Sequence, residues 1–411
     1  MKLQFGLAIY AFREKRRRLG SGETHFSDNA VYRPKPPQFS PRVSLILAGT
    51  CKDPVVSKPA MRKWILIFVC LTKVCRLQAQ REQDPIQAIL QLFEQHPIVM
   101  FGEVHGCVQE HALLNRLVTS PEFAARVNDV VIEMGNSLYQ DVLDRYIAGE
   151  NVPMEQLRKT WEDQVGAPGG NPTPPDHGFL AAVREANQKL PKERRLRVLA
   201  GDPPIDWEHV DSRQDIAPFL PFRDEHFASV VRYEVLAKRR KALLVMGAGH
   251  FQRRDGKPGV IEQQMLASFV KPYLLIAGSD VVGTYDDVDP RFVSHPWPWL
   301  MEIKGTWLSS LTRRADAPVI GFPAAGNNPT LAGTWDQIAD AYLFLGPRDK
   351  LTQGGEAFDL NLTVYGNELR RRWKILFPKP SDELPKSDGK ERPMFERSPA
   401  PPPALPRNPV P

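Results

Sequence analysis

Cysteine is scarce in this chain: only Cys51, Cys70, Cys75 and Cys107 occur in 411 residues. A fold stapled by several disulfides is thereby excluded. Stability must come from a hydrophobic core, for which the length suffices. Long apolar runs are missing too. The run Trp64–Leu71 has eight residues, far short of the roughly 20 that span a bilayer. There is no glycine-rich phosphate loop, no Gly-x-Ser-x-Gly elbow, no Cys-x-x-Cys-His haem-attachment motif and no internal repeat. The usual signatures of nucleotide hydrolysis, serine-nucleophile catalysis and covalent haem are therefore absent.

The charge is uneven. The net charge is +6, but residues 1–60 hold 11 Lys/Arg against 4 Asp/Glu, and residues 61–79 hold 4 Lys/Arg and no acid. Residues 80–411 are left with 39 basic and 44 acidic side chains, a net of −5. This mildly acidic body has no basic patch interleaved with aromatics, so a nucleic-acid partner is not indicated. Much of the asymmetry lies in 61–79, where Met61-Arg62-Lys63 precede the apolar run and Leu77-Gln78-Ala79 close it. That is the layout of a secretory signal peptide cleaved near Ala79. It implies an exported protein, periplasmic or extracellular. Only Cys107 would survive cleavage, so no intrachain disulfide is expected. Residues 1–60, with a basic run at Arg13–Arg18 and no sustained periodicity, read as a disordered extension or as sequence upstream of a start at Met61. Residues 80–377 read as one α/β domain, and 378–411 as a Pro-rich disordered tail.

Within the body, short apolar runs alternate with amphipathic segments. Strands are predicted at Ile98–Gly102, Asp129–Met134, Arg197–Gly201, Ala242–Met246, Lys271–Gly278 and Ala341–Gly346. Helices are predicted at Asp84–Gln95, Val108–Thr119, Asn136–Ala148, Pro153–Gln164, Asp176–Leu190 and Arg223–Arg240. The alternation argues for an α/β fold: a mostly parallel central sheet flanked by helices. Ligands of such sheets sit off the carboxyl ends of the strands.

Four of those strands end in chemistry: Glu103 with His105, Glu133, Asp202, and His250 after Gly247-Ala248-Gly249. Two imidazoles with carboxylates can exchange protons near neutral pH. The same set suits a divalent metal such as Zn, Mn, Fe or Co. Spacing alone does not separate the two. Glu103, His105, Glu133 and His250 are the candidates for catalysis and equally for metal ligation. His111 and Asp202 are candidates for lining a cofactor site. Plain structural roles exist for several: Glu133 suits a cap for the next helix, Asp202 before Pro203-Pro204 suits a turn, and His250 suits a helix start. His177, His209, His226 and His295 read as surface or hydrogen-bonded residues. Trp297-Pro298-Trp299 reads as core or as an aromatic wall.

Gly102-Glu103-x-His105 followed by His111, Val130–Met134 with its acid, and GAGHFQRRDGKPGV at Gly247–Val260 resemble the motifs of one superfamily. It joins the ChaN-type haem-binding uptake proteins, the TIKI/TraB proteins and the erythromycin esterase-like hydrolases. The resemblance covers roughly residues 85–280. Gly106 stands where ChaN proteins usually have Asp, and erythromycin esterases space their Glu and His more widely. The resemblance implies an α/β fold with a Glu/His cleft at Glu103, His105, Glu133 and His250. Some members hydrolyse esters or peptides and some bind haem. Two expectations follow. One is a hydrolase acting on a small-molecule or peptide substrate with His-activated or metal-activated water. The alternative is a non-catalytic protein that binds haem reversibly for iron uptake.

Overall fold

The computed structural model describes residues 84–165, 174–251, 253, 256–277, 289–311, 334–354, 364–376, 390 and 392–393. The predicted leader, residues 1–79, lies outside them.

Seven strands form one sheet: β1 Ile98–Glu103, β2 Asp129–Asn136, β3 Arg197–Asp202, β4 Ala242–Gly247, β5 Tyr273–Ala277, β6 Trp299–Glu302 and β7 Ala341–Phe344. Their order is β3-β2-β4-β1-β5-β7-β6. All neighbours are parallel except the edge strand β6, which pairs antiparallel with β7. This is the expected α/β architecture. Both faces of the sheet are covered, and the strand sequences reflect it. In β1, Val99 and Phe101 enter one core with the helices Pro85–Gln95 and Val108–Thr119. Ile98 and Met100 enter the other, with the helix Arg223–Val230 and an aromatic cluster around Phe292. Every residue of β1 and β4 is buried, so the runs read as continuously apolar rather than alternating. Each large side chain so buried contributes about 1.5–3 kcal/mol.

Local chemistry sets the element ends. Pro85 occupies the first helical turn, where its missing N–H costs nothing, and the Asp84 carboxylate accepts from Ile86 N at 3.0 Å. The other sheet edge, β3, is blunted by one side chain. Gln140 donates to Val198 O and accepts from Ala200 N, both at 2.8 Å. Its amide stands in for a missing neighbouring strand.

Several boundaries differ from expectation. The helix expected over Arg223–Arg240 is α-helical to Val230, then makes a π-turn over Val231–Val235 and a 3-10 turn over Leu236–Lys238. Strand β6 and the helix Val364–Leu376 were not foreseen. In the expected disordered tail, Arg392–Pro393 pairs antiparallel with Thr352–Gln353. Of the Trp pair, Trp299 is core at 2% exposure while Trp297 is 44% exposed. Among the described residues no helix is long and apolar enough to cross a membrane.

Candidate functional site

The four adjacent strands β3, β2, β4 and β1 carry the candidate residues to one end of the sheet. Glu103 closes β1 and stands level with Gly247, the last residue of β4. After His105 the chain turns through Gly106 at φ +75°, a left-handed conformation that glycine adopts without strain, and enters the helix Val108–Thr119. The turn folds the His105 ring onto the end of β4. A Cβ on Gly247 would lie 2.6 Å from His105 Nε2. Glycine there leaves the space that the imidazole occupies.

The ring is held from both sides. His105 Nδ1 donates to Glu103 Oε1 at 2.9 Å, and Nε2 faces Glu133 Oε2 at 3.5 Å. With the proton on Nδ1, the Nε2 lone pair looks at a carboxylate oxygen. The protonated ring instead directs its Nε2–H at that oxygen. Glu133 is buried, which alone would raise its pKa, but Arg223, His105 and His250 hold it well below the ordinary carboxylate range. Its Oε2 accepts from Gly247 N at 2.7 Å, and its Oε1 accepts from Arg223 Nη1 at 2.9 Å.

A second carboxylate–imidazole pair stands across Glu133. His250 Nδ1 donates to Asp224 Oδ1 at 2.7 Å. Its Nε2 lies 3.4 Å from Glu133 Oε1 and 3.3 Å from Arg223 Nη1. The protonated ring donates to Glu133; the neutral ring accepts from Arg223. Burial opposes charging this ring, but Glu133 and the Asp224 hydrogen bond outweigh it and raise the pKa to about 9. Both rings reach solvent: His105 is 40% exposed and His250 28%.

Behind these groups is a buried supporting layer. Arg223 Nε donates to Asp202 Oδ1, and Asp202 Oδ2 accepts from Val165 N. The Asp202 and Glu133 charges keep Arg223 cationic despite its burial, while burial pushes the Asp202 carboxyl up. Both Asp202 oxygens accept hydrogen bonds, the pattern of a carboxylate. His111 Nε2 lies 3.7 Å from Glu103 Oε2. Glu110 accepts from Val104 N at 3.1 Å. Burial and then the Glu103 charge raise its pKa well above the usual range. Burial, with Glu110 next, pushes the Cys107 thiol up to about 12, so it is a packed thiol and no nucleophile.

All six candidates from the sequence therefore meet at one end of the sheet. Of these only His105 and His250 reach solvent; Glu103, Glu133, His111 and Asp202 are all buried, at 4%, 4%, 4% and 2% exposure. The donor set of Glu103, His105 and Glu133 fits a divalent cation: each offers a ligand atom, and these lie within 4.8 Å of one another. The 3.5 Å between His105 Nε2 and Glu133 Oε2 is close to the roughly 3.4 Å that separates two ligands about 2.1 Å from a tetrahedral metal. His250 stands outside that group, its ring engaged by Asp224, Arg223 and Glu133. Sequence reasoning missed Arg223, Asp224 and Glu110. The run Arg223-Asp224-Glu225-His226 opening a helix was the available signal.

No family model matches the sequence, and no curated protein matches it. Some solved structures are similar to parts of it. The type III effector HopBA1 is 13% identical, over 50% of this chain and 88% of that one, with a TM-score of 0.32. ChaN of Campylobacter jejuni, which binds haem cofacially, is 15% identical over 49% and 88%, with a TM-score of 0.33. A Bacillus cereus protein is 13% identical over 63% and 90%, with a TM-score of 0.42. These values describe distant, partial likeness.

Proposed function

We propose that this cleft hydrolyses an ester or amide bond with two carboxylate-held histidines, His105 as general base and His250 as general acid. The observation that carries the reading is the pair of dyads, Glu103–His105 at 2.9 Å and Asp224–His250 at 2.7 Å, both facing Glu133. Each carboxylate fixes the proton of its histidine on Nδ1 and turns Nε2 toward the cleft. Nε2 of His105 removes a proton from water as the water oxygen attacks the carbonyl carbon. Glu103 stabilises the imidazolium that forms. As the tetrahedral species collapses, His250 gives the proton on its Nε2 to the departing alkoxide or amine. His105 is then protonated and His250 neutral. The proton returns from His105 to His250 through solvent, which both rings reach, while Glu133, held ionised by Arg223, faces both Nε2 atoms at 3.5 and 3.4 Å. In the alternative, Glu103, His105 and Glu133 would hold a divalent cation that lowers the pKa of a bound water, and His105 Nε2 would then be a ligand rather than the base. Export of the protein, expected from residues 61–79, is part of the same proposal.

The test is turnover of p-nitrophenyl esters and short peptides by the full chain beside Glu103→Gln and His105→Ala. The expected result is activity that falls about 10²–10⁴-fold in each variant, the usual contribution of a positioned base. Activity equal in all three proteins contradicts the assignment. If no substrate is turned over and the chain instead binds haem saturably, with a Soret shift, the hydrolase reading is replaced by the haem one.

A further inference from the structure

The turn that presents His105 is fastened by groups the chemistry does not use. Val104 O accepts from Cys107 N at 3.2 Å, so His105 and Gly106 are the two central residues of a tight turn. Gly106, at φ +75°, is its left-handed member. Two successive side chains in the first turn of the helix Val108–Thr119 reach back to hold it. Glu110 Oε2 accepts from Val104 N at 3.1 Å, a buried contact. Gln109 instead holds Thr352, 243 residues away: its Oε1 accepts from Thr352 N at 2.9 Å, and its Nε2 donates to Thr352 Oγ1 at 3.0 Å.

Thr352 opens a short segment laid along the turn. Cys107 and Gln353 form an antiparallel bridge, and Gly106 O accepts from Gly354 N at 3.1 Å. Arg392–Pro393 pairs with the same segment. Leu351, 2% exposed, anchors it in the core that also holds Val104 and Cys107. Turns and loops are the more mobile parts of a fold. The His105 ring is 40% exposed, so its position depends on what holds the backbone beneath it. The Asp224–His250 dyad is built on other elements, the helix Arg223–Val230 and the turn Ala248–Phe251.

We infer that Gln109 is a positioning residue for His105, locking Thr352–Gly354 across the turn that carries the ring. Gln109 touches no reacting atom. Its effect on the backbone under His105 is the same whether that ring is a base or a metal ligand; only the kinetic consequence rests on the hydrolase reading above.

The test compares the full chain with Gln109→Leu, Thr352→Val and Thr352→Ser by NMR. Amide exchange of Thr352 and Gly354 reads the fastening, and the ring Cε1–H signals read the two histidines. Gln109→Leu is expected to speed both amides about tenfold or more and to shift and broaden the His105 signal, while the His250 signal stays in place. Thr352→Val, which exchanges the hydroxyl for a methyl, is expected to do the same to a smaller extent and serves where Gln109→Leu does not fold. Thr352→Ser keeps the hydroxyl and is expected to match the wild type. Amide exchange that Gln109→Leu leaves unchanged overturns the inference. So does faster exchange with an unmoved His105 signal, which makes Gln109 a fastener of the loop alone. Equal disturbance of both histidines signals general loosening and overturns it as well. In turnover of p-nitrophenyl acetate, Gln109→Leu is expected to lower kcat about tenfold with KM unchanged, as for a base displaced from its attack geometry. A local change at His105 with no ester hydrolysed by any of the proteins sustains this inference and overturns the hydrolase reading instead.

Discussion

At the scale of single residues, each side chain of the cleft is constrained by its neighbours. Gly247 illustrates this. An added methyl would meet His105 Nε2 at 2.6 Å and Glu133 Oε2 at 3.3 Å. The group able to move is the His105 ring, which is 40% exposed. Gly247→Ala is therefore expected to cost about 1 kcal/mol or less in denaturant unfolding while reducing turnover about 10²-fold, because a displaced base loses its attack geometry. A large stability loss with activity retained contradicts this. His250 gives a second prediction. Its ring pKa, ordinarily 6.5, is raised to about 9 by Glu133 and Asp224. The pairing therefore contributes stability fully below about pH 6.5, and that contribution is lost as pH rises through about 9. Histidine NMR is expected to place the His250 midpoint near 9, and Asp224→Asn to move it toward 6.5. A wild-type midpoint near 6.5 contradicts the pairing.

At the scale of elements, the helix Arg223–Val230 locks the strand ends together. Arg223 bonds Asp202 from β3 and Glu133 from β2, and it touches His250 beyond β4. Arg223→Met leaves two buried carboxylates without their cation, a change that typically costs 3–5 kcal/mol. Urea unfolding is the check; a loss below about 1 kcal/mol means that the carboxylates are compensated some other way. This element also marks how far the sequence could be read. Buried parallel strands announce themselves as apolar runs with a polar residue at the end, so β1 to β4 and Glu103, His105, Glu133 and His250 were legible. Arg223 and Asp224 were not. Their roles depend on which strands lie side by side, and the order β3-β2-β4-β1 cannot be derived from periodicity. Strand β6 escaped for another reason: four residues, Trp299–Glu302, are too few to show a period, and its pairing with β7 is a tertiary fact.

At the scale of the whole molecule, the two ends of the sheet treat buried charge differently. At the amino end of β2, Asp129 is saturated: Arg197 donates to it at 2.8 and 3.2 Å, and Arg240 twice at 2.7 Å. Every carboxylate oxygen there has a cationic donor, as a purely structural cluster requires. At the carboxyl end, Glu103 Oε2 is buried and makes no hydrogen bond among the described residues, with His111 Nε2 3.7 Å away. Buried polar groups left short of partners are costly, and they are retained where a ligand, a water or a proton completes them. Structural ion pairing thus occupies the amino end, and the proposed chemistry is assigned to the carboxyl end. The most direct test of the two-histidine mechanism is the pH dependence of kcat/KM for ester hydrolysis. The mechanism predicts an alkaline limb with a midpoint of about 9, set by loss of the His250 proton, that moves to lower pH in Asp224→Asn. A profile that stays flat through pH 9, or an alkaline limb that Asp224→Asn leaves in place, contradicts the assignment of His250 as the acid.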